Sequence, residues 1–141
     1  MPNLKTYDIF ISHAWRYSGD YKRLVNLLNR APRFKWRNYS DPRHDPVIDP
    51  NTDVGHRKMK KELDEQIRPV NCVIVISGMY VAYRYWIQTE IDIAIRYGKP
   101  IIGVRPRGQE RTPQAVQNVA DEKIVGWNTD SIVSAVRRHS L

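Results

Sequence analysis

Along this chain apolar residues gather in short runs of strand length, separated by stretches whose apolar positions recur at helical spacing. The run "YDIFIS", Tyr7 to Ser12, is almost continuously apolar and predicts a strand. In "YKRLVNLLNRA", Tyr21, Leu24, Val25 and Leu28 share one helical face, with Ser18 or Asp20 as candidate N-cap. "FKWRNY", Phe34 to Tyr39, alternates apolar with basic residues, as a half-exposed edge strand does. "HRKMKKELDEQIR" carries an inner stripe of Met59, Leu63 and Ile67 and is ended by Pro69. "CVIVIS", Cys72 to Ser77, is apolar up to its last residue, which predicts a central strand covered on both faces.

The second half continues in the same manner. A helix over Tyr83 to Gly98 stops at a glycine suited to a C-cap, and "PIIGV", Pro100 to Val104, follows as a strand. "QAVQNVA" reads as a short helix, "KIVGW" as a short strand, and "TDSIVSAVRRH" as a closing helix capped by Thr129 or Asp130. Strand and helix alternating about five times predict an α/β fold with a parallel sheet. The edge-like second strand favours a flavodoxin-like three-layer sandwich: a five-stranded parallel sheet in the order 2-1-3-4-5, with helices on both faces. No repeat, low-complexity tract or linker interrupts the pattern, so residues 1–141 read as a single domain. In such sheets ligands bind beyond the carboxyl ends of the strands, near the switch point between the first and third.

One position breaks the pattern. At roughly 100° per residue, Trp86, Ile93 and Tyr97 fall on one side of Glu90, and Tyr83, Ile87, Ile91 and Ala94 on the other. Gln88, Thr89, Asp92 and Arg96 take the opposite, solvent-facing arc. Glu90 therefore interrupts an apolar stripe. Burying an unpaired carboxylate costs several kcal/mol, so the residue needs a reason to be there.

Composition narrows the classes. With 141 residues and 41% hydrophobic content, the chain can bury a proper core and is not of disordered type. No apolar run reaches membrane-spanning length, and "MPNLKTYDIF" lacks a signal-peptide pattern, so a cytoplasmic protein is expected. The single cysteine, Cys72, lies within an apolar run and permits no internal disulfide. The net charge of +8 admits an anionic partner. Its clusters, however, lie on solvated helix faces, at a helix C-terminus, and in the loop Arg105 to Arg111 without interleaved aromatics. Nucleic-acid binding is disfavoured, and a nucleotide ligand fits equally well.

The strand ends exclude several chemistries. The first loop, "SHAWRYSGD", has no G-x-G-x-x-G, and no Walker loop or G-x-S-x-G elbow occurs. The third strand ends in Ser77 rather than in a phosphoacceptor aspartate. The four histidines are scattered, and His44, Asp45 and Asp49 read as a solvated loop, so no metal site is expected. What gathers at the predicted mouth is Ser12, His13 and Trp15 after the first strand, Asn38 and Tyr39 after the second, Ser77 after the third, and Glu90 on the helix that follows. That is a polar cleft with one carboxylate. On pattern alone, Glu90 is as consistent with a structural ion pair, to Arg16 or Arg105, as with catalysis.

"YDIFISHAW", "WRNYS", "VISGMY" and above all "WIQTE" resemble the Toll/interleukin-1 receptor (TIR) superfamily, in particular the bacterial branch that includes the ThsB subunit of Thoeris anti-phage defence. The resemblance runs from about Tyr7 to the closing helix. "WIQTE" is a literal W-x-x-x-E, with Trp86 and Glu90 at its ends. The family implies a flavodoxin-like fold and, in its enzymatic members, cleavage of NAD at the nicotinamide–ribose bond. It further implies an ADP-ribose-derived signalling nucleotide, a cyclic ADP-ribose isomer or a conjugate, that activates a separate effector protein once a phage-derived trigger is sensed. NAD is then a substrate, and no cofactor is needed. By motif position Glu90 matches the catalytic glutamate. Ser12, His13, Asn38, Tyr39 and Ser77 match, by location, loop positions that shape the substrate pocket, and Trp86, four residues before Glu90 on the same helix face, is expected beneath the pocket floor. The acidic residue common after the first strand is displaced here, with Asp20 as the nearest candidate. Two alternatives stay open. One is a TIR interaction module that assembles as a homo-oligomer without chemistry, using the proline-punctuated stretch "NYSDPRHDPVIDP". The other is a nucleoside deoxyribosyltransferase-like enzyme with a covalent intermediate.

Overall fold

In "CVIVI" every residue is β-branched or small and apolar, and in the computed structural model Cys72–Ile76 is a strand with all five residues buried. The structure describes residues 5–12, 19–40, 53–76, 84–105, 116, 118, 120 and 125–140. The strands are β1 (Thr6–Ser12), β2 (Lys35–Asn38), β3 (Cys72–Ile76), β4 (Ile101–Arg105) and β5 (Val125–Gly126). All neighbours pair in parallel, and the order is β2-β1-β3-β4-β5. The expected flavodoxin-like α/β architecture is therefore the observed one.

Between the strands run α1 (Gly19–Arg30), α2 (Asp53–Ile67), α3 (Arg84–Arg96) and α4 (Thr129–His139). α1 packs beside α4, and α2 beside α3. With right-handed crossovers these pairs cover opposite faces of the sheet. β1 and β3, at the centre, bury both of their sides: Ile9, Phe10, Ile11 and Cys72 to Ile76 are all withdrawn from solvent. β2, at the edge, alternates exposed and half-buried residues, as its alternating sequence requires. Tyr21, Leu24 and Leu28 of α1 and Met59, Leu63 and Ile67 of α2 face the core, with Val25 partly buried against it.

Three details differ from expectation. α2 begins at Asp53, three residues before His56, because Asp53, Val54 and Gly55 bring only one apolar residue and a glycine and so do not read as helix in sequence. The N-cap of α4 is Asn128, whose Oδ1 accepts from Ser131 N at 3.1 Å, so neither Thr129 nor Asp130 caps it. The short helix expected over "QAVQNVA" lies largely outside the described residues, although Val116 is helical and wholly buried in the core. Among the described residues two left-handed backbone positions close helices or turns: Gly98, with φ 64°, and Arg33, with φ 55°. At Gly98 the pattern is a Schellman motif, in which Lys99 N donates to Ala94 O at 2.9 Å and Gly98 N to Ile95 O at 3.0 Å. No helix among the described residues is long and apolar enough to cross a membrane.

Candidate active site

α3 begins where the chain returns from the carboxyl end of β3, and it runs back along the sheet. Ile87, Ile91 and Ala94 are wholly buried on its inner face, and Ile93 nearly so. Glu90 lies among them and is also wholly buried, while Asp92 and Arg96 face outward. Glu90 is the seventh residue of α3, so its Cα lies about 9 Å along the axis from the helix start, at a rise of 1.5 Å per residue. Side chains on a helix lean towards its N-terminus, which directs the Glu90 carboxylate back towards the loop edge of the sheet. The carboxylate thus sits below the rim of the cleft rather than on it.

Ser12 is the last residue of β1 and stands opposite Val75 of β3 in the parallel register, at the switch point. It is wholly buried, and its Oγ has no hydrogen-bond partner among the described residues. An orphan hydroxyl at a strand end, where a ligand cleft is expected, is what a substrate group would satisfy. Trp86 is half-buried, packs against the core, and meets Tyr85 edge-on with ring centroids 5.3 Å apart. It lies one helical turn before Glu90 on the same side of α3.

Asn38 and Tyr39 are placed differently. β2 is short, and Asn38 pairs with Ile9, so it lies about 10 Å behind Ser12 at 3.3 Å per residue. Beyond Ile9, β1 is laddered to β3 alone among the described strands, and the β2 side of the sheet edge is stepped down. The Asn38 amide is used locally. Its Nδ2 donates to Tyr21 Oη at 3.0 Å, while its Oδ1 accepts from Ser40 N at 2.9 Å and from the Ser40 hydroxyl. Tyr39 is half-buried against the core, and its N–H donates to Ile9 O at 2.9 Å. The described structure places Ser12 at the carboxyl end of β1 beside β3, buries Glu90 in α3 with Trp86 one turn before it, and sets Asn38 and Tyr39 back on the β2 side. His13 and Ser77, like the loop after Arg105, lie outside the described residues.

Sequence reasoning missed Ser40 and Tyr21 as a polar pair, because Tyr21 reads simply as an apolar member of the α1 stripe. A cavity of about 550 Å³ lies between the outer sides of α2 and α3, lined by Lys60, Asp64, Arg68, Asp92 and Arg96 among others. Glu90 is not among its described lining residues, so it is separate from the candidate site. No cluster of three or more metal-ligating side chains occurs among the described residues.

With this geometry in place, relatives can be compared. The profile of the TIR-like domain of Thoeris protein ThsB matches residues 10–111, a span that runs from β1 through β4 and includes Trp86 and Glu90. The chain belongs to the Thoeris ThsB TIR-like family. In this ThsB-type chain the W-x-x-x-E of "WIQTE" falls in the middle of the helix that follows the third strand. No curated protein matches the sequence. Among solved structures, the CMP N-glycosidase BcmB of Clostridium botulinum is similar at a TM-score of 0.53 and 12% identity, over 92% of this chain and 98% of that one. The 2-deoxyribosyltransferase of Bacillus psychrosaccharolyticus is similar at a TM-score of 0.56 and 11% identity, over 89% of each chain. At such identities the likeness is one of fold, and it extends the ThsB-type domain's sheet order to proteins of quite different sequence.

Proposed function

We propose that this protein is a NAD-cleaving enzyme of Thoeris-type antiviral defence, with Glu90 as its catalytic carboxylate. The observation that carries the reading is a wholly buried glutamate on the inner face of α3, the helix that follows the third strand, spaced four residues from Trp86. Membership of the ThsB family supports the biological setting. The two solved neighbours, a CMP N-glycosidase and a 2-deoxyribosyltransferase by name, make the fold a reasonable home for N-glycosidic chemistry.

The chemistry asks little of the protein. Nicotinamide in NAD is already cationic, so when the C1′–N bond breaks the electron pair leaves with a neutral nicotinamide and no general acid is required. The positive charge moves to the ribosyl carbon and ring oxygen. A carboxylate held in a water-poor site stabilises that cation far better than one in bulk water. The cation is then captured by water or by a nucleophile of the ADP-ribose itself, which yields the messenger that activates a separate effector. Ser12 holds a ribose hydroxyl, and Trp86 packs under the cleft floor.

Mass spectrometry of nucleotides from phage-challenged cells tests the reading. Wild type should produce nicotinamide and an ADP-ribose-derived product, and Glu90→Gln should not. Equal product from both would sink the assignment. One observation favours a second reading. The complete burial of Glu90 is also what a structural carboxylate would show, in a TIR module that assembles without chemistry. That module would leave NAD untouched in the same experiment.

A further inference from the structure

At the opposite end of the sheet from Glu90 is a second cavity, of about 480 Å³, formed where β1 starts and α1 turns into β2. Its described lining residues are Lys5, Tyr7, Pro32, Arg33 and Arg137. Three of the five are cations, and no carboxylate is among them. The cavity between α2 and α3, by contrast, mixes lysine and arginine with Asp64, Glu65 and Asp92. The volume is that of a small-ligand site. From these observations we infer that the Lys5–Arg33–Arg137 cavity binds a small phosphorylated anion of diphosphate or nucleotide type.

The three cations are exposed side chains grouped beside an aromatic pair. The ring of Tyr7, which lines the cavity, stacks on that of Phe34 at 5.5 Å and 16°. The Lys5 ammonium lies 5.2 Å from the Tyr7 ring centre, and the Arg137 guanidinium 5.8 Å from that of Phe34. Arg137 also donates to the carbonyl of Arg33 at 2.7 Å, which clamps the turn that carries the third cation. Arg33 is the one described non-glycine residue with positive φ, at 55°. Where a left-handed turn alone is needed, at Gly98, this chain uses glycine. At Arg33 it keeps a long cationic side chain despite the backbone strain, and that side chain lines the cavity.

A simpler account assigns the basic end of α4 to its macrodipole, since Arg137, Arg138 and His139 occupy the last turn. That explains Arg137. It does not explain Lys5 at the head of β1, or a strained arginine after α1. The negative end of α4, roughly half a charge, opposes an anion there, and the three full positive charges outweigh it. Phosphate oxygens suit the set because arginine and lysine give short, charge-assisted bonds to them.

Isothermal titration of the purified full chain with pyrophosphate, and separately with ADP, tests the site. Arg33→Gly relieves the backbone while removing one cation, so loss of binding cannot be blamed on misfolding. Pyrophosphate or ADP affinity should fall about tenfold or more in Arg33→Gly, with a thermal midpoint no lower than wild type. Arg68→Gln, in the other cavity, should bind as wild type does. ADP tighter than pyrophosphate would identify a nucleotide, and equal affinities a bare diphosphate; either supports the site. Absence of millimolar binding, unchanged affinity in Arg33→Gly, or tighter binding of a short RNA than of either small anion would overturn it.

Discussion

The hydroxyl of Tyr97 donates to Oδ1 of Asp64 at 2.6 Å, while Arg96 meets Oδ2 of the same carboxylate at 2.5 Å. One aspartate on α2 thus holds the last turn of α3, the helix that carries Glu90. Arg96 is 62% exposed, so its ion pair contributes little by itself. The Tyr97 bond is half-buried and orients the helix end. Hydrogen bonding to Asp64, followed by burial, pushes the Tyr97 hydroxyl above the ordinary tyrosine range. A raised folded value means that this contribution is fully present below the unfolded tyrosine's value. It is lost as pH rises through the elevated one. An ultraviolet absorbance titration should therefore show one tyrosine ionising later than its peers, and Asp64→Ala should bring it back among them. An unchanged titration in that variant would show that Asp64 is not the cause.

Glu90 can be separated into its two candidate roles by measuring stability and activity together. If it is kept for catalysis, Glu90→Gln should leave the thermal midpoint at or above wild type, because a buried carboxyl group is replaced by a neutral isostere. Nicotinamide release should fall about 100-fold or more. A large drop in the midpoint without loss of activity would reverse the assignment and make Glu90 a structural group.

The two left-handed positions should respond with opposite sign. Nothing lies within 4 Å of a Cβ built at Gly98, so Gly98→Ala meets no steric obstacle and costs only its backbone conformation. That cost is about 1 kcal/mol, readable as a shift of the urea midpoint. Arg33→Gly should shift the same midpoint upward or not at all. A stabilised Gly98→Ala would contradict the Schellman geometry.

Cys72 should be silent towards thiol reagents in the folded protein. Burial pushes its thiol up to about 11, with Ser140 and Lys5 only partly opposing this. The folded value is again the higher one, so the thiol's contribution holds below the unfolded cysteine value and is lost as pH rises towards about 11. Ellman's reagent at neutral pH should label Cys72 only after denaturant is added. Rapid labelling of the native chain would contradict its burial.

Removing the cap of α4 offers a local check. Asn128→Ala should cost about 1 kcal/mol, and Asn128→Asp should restore most of it. Chemical denaturation of wild type and the two variants measures both steps. Equal stability of wild type and Asn128→Ala would return the capping role to Thr129 or Asp130.

Periodicity made the sheet order and the inner faces legible, because burial on one side is written into residue spacing. Met59, Leu63 and Ile67 form the stripe that their spacing predicts, and Glu90 stands out because it interrupts another. Other features depend on contacts between residues distant in sequence. The Asn38 amide could have pointed at the cleft or at Tyr21, seventeen positions away, and only the folded chain shows that it meets Tyr21. The cap of α4 is ambiguous in sequence for a different reason: "NTD" offers three capping residues in a row, and backbone geometry picks the first. The cavity beside Lys5, Arg33 and Arg137 joins the head of β1 to the last turn of α4, and no local pattern connects them.

The step at the β2 side of the sheet gives the molecule one hard wall and one soft one. Between β1 and β3 the cleft stands on a continuous ladder that cannot be re-registered without turning core residues outward. On the β2 side the ladder between the described strands ends at Ile9 and Asn38. Insertions and substitutions there leave the strands that support Glu90 in place. Variation on that flank leaves the β1–β3 ladder and its register as they are.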